Sequence, residues 1–238
     1  MSAVHVAVLM GGWSAEREVS LTSGAGVADA LERKGYRVTR IDMGRDVAAR
    51  LAEAAPDVVF NALHGTPGED GSVQGMMDLM GLKYTHSGMV TSVIAIDKVL
   101  TKQILAYHRI PTPRFHLFPW GRAYREPRGL EFPLFVKSAT EDASLGIAHA
   151  SVVADEKQLR ERVGFIHEQI NSDALVEEYI EGRELYVGVL GNDRLSVLPV
   201  WEMTFGTLPD NAPAIATRKV KWDRRYQQKY GITTGPAE

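Results

Sequence analysis

The sequence predicts an α/β protein in two parts: a parallel sheet covered by helices, then a strand-rich α+β segment. Three observations carry this. Short apolar runs alternate with amphipathic stretches from Val4 to His108. A Pro-Thr-Pro step at Pro111–Pro113 cannot continue a helix and marks a boundary. Beyond it, apolar runs follow one another across short turns such as Gly191–Asn192, the pattern of antiparallel strands. The predicted boundaries are 1–109 and 110–238.

In the first part, Val4–Met10 is an apolar run ending at Gly11–Gly12, as a buried parallel strand would. Ser14 is placed to cap the next helix, with Glu16 and Glu18 in its first turn. Val19, Leu21, Ala25, Val27, Ala30 and Leu31 give that helix an apolar face. Strands are predicted at Tyr36–Ile41, Asp57–Leu63 and Lys83–Tyr84, and helices at Val47–Ala54, Val73–Met80 and Ser92–His108. In the second part the predicted strands are Arg114–Phe118, Pro133–Lys137, Ala174–Ile180, Glu184–Leu190 and Leu195–Met203. A long helix, Glu156–Ile170, interrupts them. From Thr204 onward no period is evident, so that stretch reads as loop.

Composition narrows the chemistry. The 238 residues are 45% hydrophobic with net charge −3, which advertises neither a nucleic-acid nor an anionic-membrane partner. There is no cysteine, so disulfides, thiolate metal sites and a cysteine nucleophile are excluded. The apolar runs are too short to span a bilayer, and no leader is visible, so the cytoplasm is the default address.

Five constellations carry candidate chemistry. Gly11–Ser20 is a strand, glycine turn and helix start that suits an anion, or simply a tight turn; it lacks the third glycine of a dinucleotide fingerprint. Ala62–Gly71 lies at the C-terminal end of a predicted strand, where open α/β sheets bind ligands, and holds His64, or is simply a surface loop with a helix cap at Asp70 or Ser72. Asp97–Lys98 with Lys102 reads, taken alone, as a solvated helix face. Phe132–Lys137 followed by Thr140–Ile147 places a lysine at the end of an apolar strand before a small-residue loop, fit to hold a phosphate. Leu175–Glu184 is a strand reaching a turn between carboxylates, fit for an amine and hydroxyls, or merely a charged edge.

Together and in order, these segments resemble the D-alanine–D-alanine ligases of the ATP-grasp superfamily. The resemblance implies a pre-ATP-grasp α/β domain followed by an incomplete ATP-grasp domain. It implies an ATP-dependent ligase joining two D-alanines through an acyl phosphate, for peptidoglycan precursors, with Mg²⁺ on the nucleotide. It assigns Glu16 to the ammonium of the first D-alanine, with Val19 and His64 lining that pocket. Lys98 and Lys137 take the ATP phosphates; Glu177, Tyr179 and Ile180 hold adenine; Glu184 takes the ribose. Ser144, in the phosphate loop, and Lys221, in a closing loop, join Glu16 as catalytic residues.

The sequence departs from the pattern at Ala143, where a serine is usual, and at Trp222, where a tyrosine is usual. It also departs at Ser138 for proline and at His86 for glycine. These changes put the amino-acid substrate in doubt more than ATP. The metal-holding Asp, Glu and Asn are expected in a further C-terminal portion, and a homodimer is compatible. The other readings are a non-catalytic remnant keeping a nucleotide or amino-acid site, and a dinucleotide-dependent oxidoreductase.

Overall fold

The computed structural model describes residues 3–127, 129–142, 144–208 and 212–238. The chain divides into two compact units, Met1–Arg109 and Ile110–Glu238.

Unit 1 runs β1 (His5–Met10), α1 (Arg17–Arg33), β2 (Arg37–Asp42), α2 (Val47–Ala54), β3 (Val58–Asn61), α3 (Ser72–Leu79), β4 (Tyr84–Thr85), α4 (Met89–Ile96) and α5 (Lys98–Tyr107). Its sheet has the order β2-β1-β3-β4 and is parallel throughout. All of β1 is buried because its alternate residues serve two faces. Ala7 and Leu9 join Ile41, Leu51, Val59 and Met77 on one face. Val6, Val8 and Met10 meet Ala28 on the other.

Two expectations are corrected here. The fully buried stripe of α1 is Ser20, Gly24 and Ala28, and of the predicted apolar face Leu21, Val27 and Leu31 pack beside it, partly buried. A Cβ on Gly24 would lie 2.5 Å from Met10 Cβ, so only a hydrogen there lets the helix settle on β1. The single helix expected over 92–108 is two, because Asp97 turns extended and its carboxylate accepts the backbone N–H of Val99 and Leu100.

Unit 2 runs β5 (Phe115–Phe118), β6 (Leu134–Ser138), β7 (Val152–Val153), α6 (Glu156–Phe165), β8 (Ala174–Glu178), β9 (Glu184–Tyr186), β10 (Val189–Leu190), β11 (Ser196–Val197), β12 (Trp201–Thr204), α7 (Arg218–Trp222), α8 (Arg224–Tyr230) and β13 (Thr233–Pro236). The main sheet, β5-β8-β6-β7, is antiparallel. Leu134, Val136, Ala174 and Val176 pack from it onto Leu159, Val163 and Ile166. The helix over Glu156–Ile170 forms, but its last turn, Ile166–Ile170, is a π-helix. A second sheet, β13-β12-β9, and a β10–β11 hairpin complete the unit. The stretch after Thr204 is not loop throughout: α7 and α8 form, capped by Thr217 and Asp223, and β13 pairs antiparallel with β12.

Candidate functional site

The strand order in unit 1 reverses between β1 and β3, the place where open α/β sheets bind ligands beyond the carboxyl ends of their strands. Two loops meet there. Ser20, fully buried, accepts the Gly11 N–H at 2.9 Å and donates to the Ala62 carbonyl at 2.8 Å. Ser14 Oγ donates to the His64 carbonyl at 2.7 Å and accepts the Glu16 N–H at 3.2 Å. Ser14 therefore ties the second loop to Glu16, the N-cap residue of α1, instead of being the N-cap itself. A Cβ on Gly65 would lie 3.3 Å from Glu16 Oε2, which puts the Glu16 carboxylate against that glycine. Glu69 accepts the Gly65 N–H at 2.6 Å, and its other oxygen lies 3.8 Å from His64 Nδ1.

The same corner is clamped from outside. Arg17 donates to the Gly12 carbonyl at 2.8 Å and grips both oxygens of Asp42 at 2.7 and 2.6 Å. That grip holds the Asp42 carboxyl below its ordinary range, against a smaller opposing effect of burial. Val19 is half-buried on α1, and Lys98 is half-buried in the first turn of α5. His86 adopts φ +125° beyond β4, a conformation that suits the glycine expected there; its Nδ1 lies 3.1 Å from Gln74 Nε2.

In unit 2 the antiparallel register sets Phe135 opposite Glu177 and Lys137 opposite Leu175. Lys137 and Glu177 thus project from the same face as diagonal neighbours, and the ammonium pairs with the carboxylate. The Lys137 ammonium also lies 5.7 Å from the centre of the Phe135 ring. Tyr179 follows on the same chain, its N–H on the Pro133 carbonyl. It borders a cleft of about 810 Å³ with Pro133, His149, Glu181 and Pro213. Burial raises the Tyr179 phenol pKa, helped by the charges of Glu181 and Glu184. Ile180 is exposed. Glu184 accepts the Tyr186 hydroxyl at 3.2 Å, and Tyr186 is pushed up to about 12, first by burial and then by that carboxylate.

The loop after β6 is built from within. Ser138 Oγ accepts the N–H groups of Thr140 and Glu141 at 3.3 and 2.9 Å. Proline has no hydroxyl for this, so the serine is a structural gain. Ser144, at φ +62° and buried, donates its hydroxyl to the Ala216 carbonyl at 2.8 Å. Its hydroxyl is thus engaged by the backbone of Ala216. Ala143 lies outside the described residues. Lys221 is half-buried on α7. A larger cavity, about 1000 Å³, is lined by Trp222, Lys219, His149, Tyr226 and Tyr230. It holds none of Lys137, Glu177 or Tyr179, so volume and chemistry point to different places, and the chemistry is the better guide.

Among the described residues no group of three or more His, Asp or Glu converges to hold a metal ion. They do not make a Mg²⁺ donor set. No described helix is long and apolar enough to cross a membrane.

A parallel α/β unit followed by an antiparallel sheet that carries a Lys–Glu pair is the layout of ATP-grasp proteins. The chain matches the family "D-ala D-ala ligase N-terminus" over residues 43–87 and "D-ala D-ala ligase C-terminus" over residues 107–210. It is 57% identical over 199 residues to the D-alanine–D-alanine ligase of Sphingopyxis alaskensis, covering 81% of this chain and 62% of that protein. To that of Rhizorhabdus wittichii it is 57% identical over 194 residues, covering 82% and 62%. The ATP complex of the Bacillus anthracis D-alanine–D-alanine ligase superposes with TM-score 0.74 at 26% identity, over 94% of this chain and 75% of that one. The chain belongs to the D-alanine–D-alanine ligase family. It spans about 62% of the length of these curated relatives.

Proposed function

We propose that this chain serves an ATP-dependent ligase that joins two D-alanines, with unit 1 holding amino acid and unit 2 holding nucleotide. The observation that carries this reading is the Lys137–Glu177 ion pair across β6 and β8, two residues before Tyr179, which borders the cleft. Glu177, Tyr179 and Ile180 receive adenine, Glu184 the ribose, and Lys137 the phosphates, with Lys98 as the second phosphate lysine. Glu16, held by the Ser14–His64 and Gly65 contacts, takes the ammonium of the first D-alanine, and Val19 and His64 line that pocket. Ser144 contributes through the loop it anchors, and Lys221 through α7.

In the reaction, a carboxylate oxygen of one D-alanine attacks the γ-phosphorus and the bond to the β-phosphate oxygen breaks, releasing ADP. The free amine of the second D-alanine then attacks the acyl carbon, inorganic phosphate leaves, and the amine loses a proton. This chain's residues supply charge neutralisation and positioning. None of the roles assigned to them runs through a metal.

Calorimetric titration of the full chain with ATP, and separately with NAD, tests the reading. ATP binds and NAD does not, and Lys137→Ala weakens ATP by about tenfold or more, the loss of a charge-assisted phosphate contact. Equal ATP affinity in that variant removes Lys137 from the site.

A further inference from the structure

Arg162 sits on the inner face of α6, only 8% exposed. Among the described residues no carboxylate pairs with it, an unusual state for a buried guanidinium. Its Nη2 instead donates to the Gly146 carbonyl and, at 2.9 Å, to the Ser151 hydroxyl, which also accepts the Ala148 N–H at 3.1 Å. Its cationic carbon lies 4.3 Å from the centre of the Phe165 ring, while Nε is buried without a partner. Burial lowers its pKa, so the charge is held there at a cost.

What the guanidinium holds is the end of the loop that follows Lys137. Gly146 is at φ +70°, and a Cβ there would lie 3.2 Å from Ile170 Cδ1, so the backbone rests directly on the π-helical turn. Ser144 fastens the middle of the loop to the Ala216 carbonyl, and Ser138 fastens its start. Arg162 and Ser151 fasten its end. The donors of this buried cation go to the loop and not to an acidic partner. Here they fix the backbone of residues 146–151.

We propose that Arg162 is a positioning residue that pins the Gly146–Ser151 backbone so that the adjoining Ser144–Leu145 backbone is pre-shaped for nucleotide phosphates. The proposal rests on the nucleotide reading of unit 2 for its ligand, but the pin itself can be tested without one.

The variants are Arg162→Met, Arg162→Lys and Ser151→Ala in the full chain. Without nucleotide, amide exchange of residues 144–151 accelerates by about tenfold or more in Arg162→Met, the loss of a charge-assisted hydrogen bond. Exchange in β8 is unchanged, and Arg162→Lys and Ser151→Ala fall between wild type and Arg162→Met. With nucleotide, Arg162→Met weakens ATP by about tenfold but leaves adenosine binding unchanged, since adenosine has no phosphate for the loop to meet. Arg162→Lys, which keeps one donor, recovers part of the ATP affinity. Unchanged exchange at 144–151 overturns the pin whatever ATP does. Equal weakening of ATP and adenosine also overturns it, because that marks a general structural loss. If wild type fails to bind ATP, the nucleotide reading falls while the exchange result still decides the pin.

Discussion

The ammonium of Lys137 and the carboxylate of Glu177 face each other across β6 and β8, and both side chains are largely buried. A buried pair of this kind stabilises little net, yet removing one partner strands the other's charge. Lys137→Met is therefore expected to destabilise the chain by about 3 kcal/mol. Adding Glu177→Leu should restore part of that loss. Urea unfolding of the two single variants and the double variant checks it, and additive losses would show that the residues do not act as a pair.

Glu16 leans on Gly65, so the proposed amino-acid subsite would draw on two different loops. Gly65 stands at φ +63°, where an added Cβ would also press on Ser14. Glu16→Gln and Gly65→Ala should each weaken D-alanine by about tenfold while leaving ATP nearly unchanged. Parallel titrations with the two ligands measure this. A loss of ATP affinity with D-alanine untouched would put Glu16 elsewhere.

Gly11 lies under the Arg17–Asp42 clamp at φ +78°. A Cβ there would overlap Asp42 Oδ1 and come within 2.7 Å of Arg17 Nη1. Gly11→Ala should cost about 2 kcal/mol, combining left-handed strain with disruption of the clamp. Chemical denaturation gives the value, and a change below about 0.5 kcal/mol would mean the corner relaxes freely.

The clamp also sets a pH dependence. Arg17 depresses the folded pKa of Asp42, so its stabilisation is fully present above the unfolded value near ~3.9 and is lost as pH falls through the lower folded value. Both side chains are more than one-third exposed, so the effect is small and weakens with salt. Asp42→Asn should flatten the stability profile below about pH 4 and leave the shape above pH 6 unchanged.

Much of unit 1 was legible in sequence because parallel strands buried on both faces leave continuous apolar runs, as Val6–Met10 does. The break at Asp97 was missed because Ser92–His108 keeps a helical period across it; only the capping power of aspartate betrays the join. The segment after Thr204 was misread because α7 and α8 are short and polar, and β13, Thr233–Pro236, is a mostly exposed edge with no alternation. Lys137 and Glu177 were singled out as residues, but their pairing needs the strand register. Arg162 left no signal at all: within Glu156–Phe165 it looks like one more charge on a solvated helix.

β8 lies between β5 and β6, yet it is made after both. Until residues 174–178 leave the ribosome, Phe115–Phe118 has no neighbour and Leu134–Ser138 has only the two-residue β7. Closing those long loops is slow compared with local helix formation. Lys137 therefore waits for Glu177, and the cleft bordered by Tyr179 waits longer still, because Pro213 on its wall is made later. In a refolding chain, helical signal will recover before the cleft can exist.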